Sequence, residues 1–82
     1  MAENRYNIDI RALGENVRRF RKRRGWTQVD LETSTGIPQG DVSRIENGLL
    51  DLHFSSIVRL AEAFEVQTKD LLEVENLENT EG

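Results

Sequence analysis

The sequence contains no cysteine, one histidine and one proline, and it has no long apolar run. Without cysteine there is no disulfide framework, no thiolate nucleophile and no Cys-based zinc site, and a reducing compartment is permitted. His53 alone cannot build a metal site, so no metal or cofactor is expected. No stretch approaches the roughly 18–20 consecutive apolar residues of a membrane span. The opening MAENRYNIDIR lacks the apolar core of a secretion signal. Catalysis has little to work with: no paired carboxylates beside a base, no nucleophile near His53, no glycine loop to cradle a phosphate. These absences leave a small binding domain, expected in the cytoplasm and not at a membrane.

Charge is what the chain does have. Its net charge is −4 over 82 residues, a total that argues weakly against a polyanionic partner. The distribution argues the other way. Residues 1–25 hold eight Lys/Arg against three Asp/Glu, residues 26–50 one against four, and residues 51–82 two against eight. A basic front and an acidic end are a better guide to partners than the sum.

Helical spacing runs through the middle of the chain. Ile10, Leu13, Val17 and Phe20 step by three or four, predicting a helix of about four turns that Gly25 stops. Arg18, Arg19, Lys22 and Arg23 lie off that stripe, as a solvated helix end or a phosphate-binding footprint. Thr27 and Asp30 form a T-x-x-D capping box, with Trp26 and Leu31 at the positions of a hydrophobic staple. The helix they start is two turns long and ends at Gly36. Pro38 opens the next, at its first helical position, with Val42 and Ile45 inward and Gly48 as terminator. Phe54, Ile57, Val58, Leu60, Ala61 and Phe64 give a fourth helix. Val66 plugs a loop, and a short fifth helix runs from Thr68 through Leu71 and Leu72. The expected class is all-α, with an N-terminal arm over 1–9, a domain over 10–72, and an acidic, disordered tail over 73–82.

Two short helices joined by a glycine-containing turn, with helices on both sides, form a helix-turn-helix. Leu31, Ile37, Val42 and Ile45 hold the pair, and the second helix then projects toward a DNA major groove. Its outward residues are Gln39, Gly40, Ser43 and Arg44. Gln39 can pair bidentately with adenine and Arg44 with guanine, while Gly40 permits close approach. The stretches LGENVRRFRKRRGWTQVDL, TGIPQGDVSRIENG and IVRLAEAFEVQTKDLL resemble the Cro/repressor-type (XRE-like) helix-turn-helix regulators over about residues 10–72.

The resemblance implies sequence-specific binding of double-stranded DNA and transcriptional control in a bacterial or phage setting. A small stand-alone homodimer on a pseudo-palindromic operator is the implied form. It also implies phosphate contacts from Thr27, Gln28 and Asn47, with Arg18 and Lys22 adding charge, and an internal ion pair between Arg21 and Glu46. There are three departures from the family pattern. Glu32 stands where Ala is usual, Leu49-Leu50 replaces basic residues, and Asp41 puts a carboxylate on the outward face. Leu52 in place of a proline looks like the controller proteins of restriction–modification systems. Leu49, Leu50, Leu52, Val66 and Leu71 are the candidates for a dimer contact. With so short a chain, control is expected to come from dimer concentration and operator layout. The alternatives are an antitoxin whose acidic end takes a small basic protein partner, and a pure protein-interaction module.

Overall fold

The computed structural model describes residues 8–74, and every regular element among them is helical. In chain order these are α1 (Ile10–Arg23), α2 (Gln28–Thr35), α3 (Gln39–Glu46), α4 (Phe54–Phe64) and α5 (Thr68–Leu72). The described residues therefore form the five-helix, all-α domain that the sequence leads one to expect.

Each helix buries one stripe. Leu13 and Val17 of α1, Leu31 of α2, Val42 and Ile45 of α3, Ile57, Leu60 and Phe64 of α4 and Leu71 of α5 meet in one core. Ile8, Phe20, Trp26, Leu50, Leu52, Val66 and Leu72 pack partly buried around it. Non-polar burial of this kind contributes roughly 25 cal/mol per Å² and supplies the main driving force. The Asp9 carboxylate accepts from the backbone N–H of Arg11 and of Ala12, both at 3.1 Å, and so caps α1. Ile8 and Asp9 thus belong to the folded body, ahead of the boundary that the stripe alone suggested. Asn16 sits on the buried side of α1. Its amide donates to the carbonyls of Leu71 (2.7 Å) and Glu73 (2.8 Å), tying the end of α5 to α1.

The structure corrects three expectations, at Leu71, Phe54 and Pro38. Leu71 is 0% exposed and fully enclosed in the core, so it cannot serve a dimer contact. A five-residue helix is too short to display a period, and α5 is held on its buried side by α1 and α4. Val66, Leu50 and Leu52 are half-buried against the same core, whereas Leu49 is exposed. Phe54 is 59% exposed, because at the first position of α4 the apolar stripe runs past the edge of the core. Pro38 is the N-cap of α3 and not its first helical residue; its ψ of 145° is extended. The expected tail lies mostly in residues 75–82, outside the described residues.

Candidate functional site

The α2–α3 pair is built by short-range chemistry. The Asp30 N–H donates to the Thr27 hydroxyl (3.0 Å) and the Thr27 N–H to the Asp30 carboxylate (2.8 Å), the reciprocal capping box. At the other end of α2, Gly36 takes the left-handed conformation, φ 82°, which glycine adopts without steric cost. Its N–H donates to Glu32 O at 2.7 Å. Thr35 stitches the turn: its buried hydroxyl donates to Leu31 O (2.7 Å) and accepts from the Ile37 N–H (3.1 Å).

Pro38 offers no side-chain cap to α3, and Glu32 does the job from the neighbouring helix. Its carboxylate accepts from the Gln39 N–H at 3.2 Å. A carboxylate at a helix N-terminus satisfies one of the unpaired donors and complements the dipole. The departure at Glu32 therefore turns outward, half-buried, into a cap.

The inner side of α3 is anchored to α1. Gly14 lies against the chain at the end of α3; a Cβ placed there would stand 2.1 Å from Ile45 O, so only glycine permits this approach. About two turns further on, Arg21 grips Glu46 with two parallel bonds, Nε to Oε2 at 2.6 Å and Nη2 to Oε1 at 3.0 Å. Both residues are buried, at 8% and 7% exposure. The third guanidinium nitrogen donates to Trp26 O at 2.7 Å. Hydrogen bonding to Glu46, first, and its charge raise the Arg21 pKa above the ordinary arginine value, against the opposing effect of burial.

This anchor continues to the surface. Gln28 Nε2 donates to Glu46 Oε1 at 3.1 Å, and Gln39 Nε2 donates to Gln28 Oε1 at 2.7 Å. The chain Arg21–Glu46–Gln28–Gln39 thus runs from the buried face of α1 to the exposed start of α3. On the outward side, Gln39, Gly40, Arg44 and Asn47 are exposed, while Asp41 and Ser43 are half-buried. Arg44 Nη1 donates to Asp41 Oδ1 at 2.6 Å, so the extra carboxylate orients the arginine one turn on. The Asn47 amide donates to Ser43 O at 2.9 Å.

The basic residues of α1 divide. Arg19 donates to Asn16 Oδ1 (2.7 Å) and leans over the Phe20 ring, as does Arg23. Arg18 and Lys22 are exposed. At about 100° per residue, they lie on the flank of α1 next to Arg21. Spacing alone missed Gly14, Asn16 and the Glu32 cap. Gly14 did carry a signal, since glycine inside a helix costs about 1 kcal/mol relative to alanine and needs a reason.

Comparison with known proteins follows the same outline. The family model described as a helix-turn-helix domain matches residues 12–74. A hypothetical transcription factor of Neisseria meningitidis serogroup B is 35% identical over 65 residues, covering 78% of this chain and 61% of that protein. A competence pilus inhibition repressor of Acinetobacter baylyi is 34% identical over 68 residues, covering 82% and 62%. The chain thus spans about three-fifths of the length of these curated relatives. The crystal structure of the restriction-modification controller protein C.AhdI from Aeromonas hydrophila superposes with a TM-score of 0.74 at 25% identity, covering 77% of this chain and 96% of that one.

Proposed function

This chain belongs to the helix-turn-helix domain family, of the Cro/XRE-like kind, and we propose that it binds double-stranded DNA and regulates transcription. One observation carries the reading: α3 is fixed by its buried side while its other side offers exposed amide and guanidinium groups. A helix so held fits a major groove with its N-terminal half toward the bases. Gln39 and Arg44 read base edges, Ser43 and Asp41 border them, and Gly40 allows close approach. Gln28, Thr27, Asn47, Arg18 and Lys22 face phosphates and fix the register. The activity is binding, without chemistry on the DNA.

The working form is a homodimer on a pseudo-palindromic operator, of controller or repressor type. The named roles of the A. baylyi repressor and of the A. hydrophila controller protein support that type. Leu49, an exposed leucine beyond α3, is the residue best placed for the two-fold contact. Among the described residues no helix is long and apolar enough to cross a membrane. A DNA target puts the protein in the cytoplasm beside the nucleoid. The antitoxin alternative rests on the acidic end of the sequence, and co-purification of a small basic protein would favour it.

The test is selection of bound duplexes from a random pool by the full chain. The expected result is a two-fold motif with half-site centres about 34–36 Å apart. Affinity for it should fall with salt, each phosphate contact adding about −0.9 to the log–log slope. No enrichment at low salt overturns the proposal.

A further inference from the structure

We infer that Glu32 is a specificity-determining residue whose carboxylate selects a cytosine beside the start of α3; the inference rests on the reading of α3 above. Glu32 lies four residues after Gln28 on α2, one turn on along the same side of the helix. Gln28 meets the Gln39 side chain at 2.7 Å, and Glu32 meets the Gln39 backbone N–H at 3.2 Å. Both therefore border the first residue of α3, the end that enters the groove. Glu32 is half-buried, and its bond to Gln39 lies at the surface.

The chemistry of that carboxylate gives it a base to read. An ionised carboxylate only accepts hydrogen bonds, and it has about four lone-pair sites. The Gln39 N–H takes one of them, on Oε1, which holds the group in place and leaves acceptor sites over. Gly40, next on α3, brings no side chain: apart from its chain neighbours, a Cβ there would meet only Arg44 Nη1, at 4.0 Å. The step beside Glu32 is thus open to a base edge. One turn along α3 lies Arg44, whose guanidinium can only donate and is held by Asp41 at 2.6 Å. An acceptor and a donor flanking an open step match G·C pairs in the major groove, where guanine offers O6 and N7 and cytosine its N4 amino group. Thymine carries O4 where cytosine carries that amino group, and so sets lone pairs against the carboxylate. The residue that stands here in place of the usual alanine therefore adds a letter to what α3 reads.

The experiment is selection from the random pool with the full chain, repeated with Glu32→Ala and Glu32→Gln, comparing the cytosine-to-thymine preference at each position. One position should prefer cytosine in the parent and change in both variants. Glu32→Ala should lower that preference about tenfold, within the span of one base contact. Glu32→Gln should carry it across to thymine, because the Gln39 N–H engages the amide oxygen and leaves the NH2 to donate outward. A role confined to capping α3 would not give that crossing. A duplex with 2-pyrimidinone in place of the selected cytosine lacks only the N4 amino group; it should cost the parent about tenfold in affinity and Glu32→Ala far less, the coupling expected of two groups in contact. Should Glu32→Ala fail to fold, Glu32→Gln, which keeps an acceptor for the Gln39 N–H, decides the matter. An unchanged cytosine preference in the variants, or a loss spread evenly over all sequences, overturns the inference while leaving α3 as the reading helix. No enrichment by the full chain overturns the reading of α3 itself.

Discussion

The two sides of α3 sit on one eight-residue helix and obey different rules. Its inner side is close-packed and bonded: Val42 and Ile45 are in the core, Glu46 is gripped by Arg21, and Gly14 lets α1 come to the backbone. Its outer side touches little, and the Asp41–Arg44 pair is largely in water. Under the proposed function, the difference separates holding from reading. A change on the inner side moves the whole helix, while a change on the outer side alters what the helix presents. Such a division lets the outward residues vary without endangering the fold.

The largest expected effect lies inside. Arg21→Ala leaves the Glu46 carboxylate buried with only Gln28 as side-chain partner, and breaking a buried pair this way costs about 3–5 kcal/mol. Against a total stability on the order of 5–15 kcal/mol, chemical denaturation should show a domain near its limit, and binding to specific and random duplexes should weaken together. The double variant Arg21→Met with Glu46→Leu should recover most of that stability, since well-packed apolar replacements of buried pairs are often neutral. A stable Arg21→Ala variant that loses only base preference would move Arg21 to the reading side.

Next comes Gly14→Ala. The added methyl would lie 2.1 Å from Ile45 O, a backbone atom that cannot turn aside. Either α1 and α3 separate or the end of α3 shifts. Overpacking typically costs about 1–3 kcal/mol, and the contact here puts the loss at the upper end, even after the helix gains about 1 kcal/mol from replacing glycine. A variant as stable as the parent in urea titration would mean the junction is not close-packed.

On the outer side the readout changes from stability to discrimination. Arg44→Ala should lower stability by no more than about 1 kcal/mol, because the exposed Asp41–Arg44 pair contributes only about 0–1 kcal/mol. Its cost, about 1–3 kcal/mol, should fall on the selected duplex, with little loss on random DNA. Equal losses on both duplexes would make Arg44 a phosphate contact.

These regions also differ in how far they could be read beforehand. The helices announce themselves through local chemistry: the Thr27–Asp30 box, the glycines at 36 and 48, and stripes stepping by three and four. The outward position of Gln39 and Arg44 follows from the inward position of Val42 and Ile45, so the exposed face was legible too. The junction was not. Arg21 and Glu46 are 25 residues apart, and no periodicity links them; only the family resemblance did. Asn16 bonds carbonyls 55 and 57 positions away. Glu32 reaches Gln39 across a turn whose geometry has to be known first. Long-range polar contacts depend on tertiary closure, and a one-dimensional pattern carries no record of it. Leu71 fails for a related reason, since five residues of helix cannot show which side faces in.

The smallest expected change in stability belongs to a residue on neither side of α3. Leu49 is 71% exposed, just beyond the helix, while its neighbours Leu50 and Leu52 lean on the core. Leu49→Glu takes away almost no packing, so unfolding should shift by no more than about 0.5 kcal/mol. Its effect on assembly should be out of proportion to that. In a two-fold contact the same patch meets itself, so one substitution introduces two carboxylates into the apolar centre of the interface, where leaving water unpaired is costly. Sedimentation equilibrium should therefore show a parent chain whose mass rises with concentration toward a dimer, and a Leu49→Glu variant that stays monomeric with an unchanged melt. A variant that still dimerises would move the contact away from the loop after α3. A parent that stays monomeric at high micromolar concentration, with and without the selected duplex, would remove the dimer from the proposal, leaving α3 to read a single half-site.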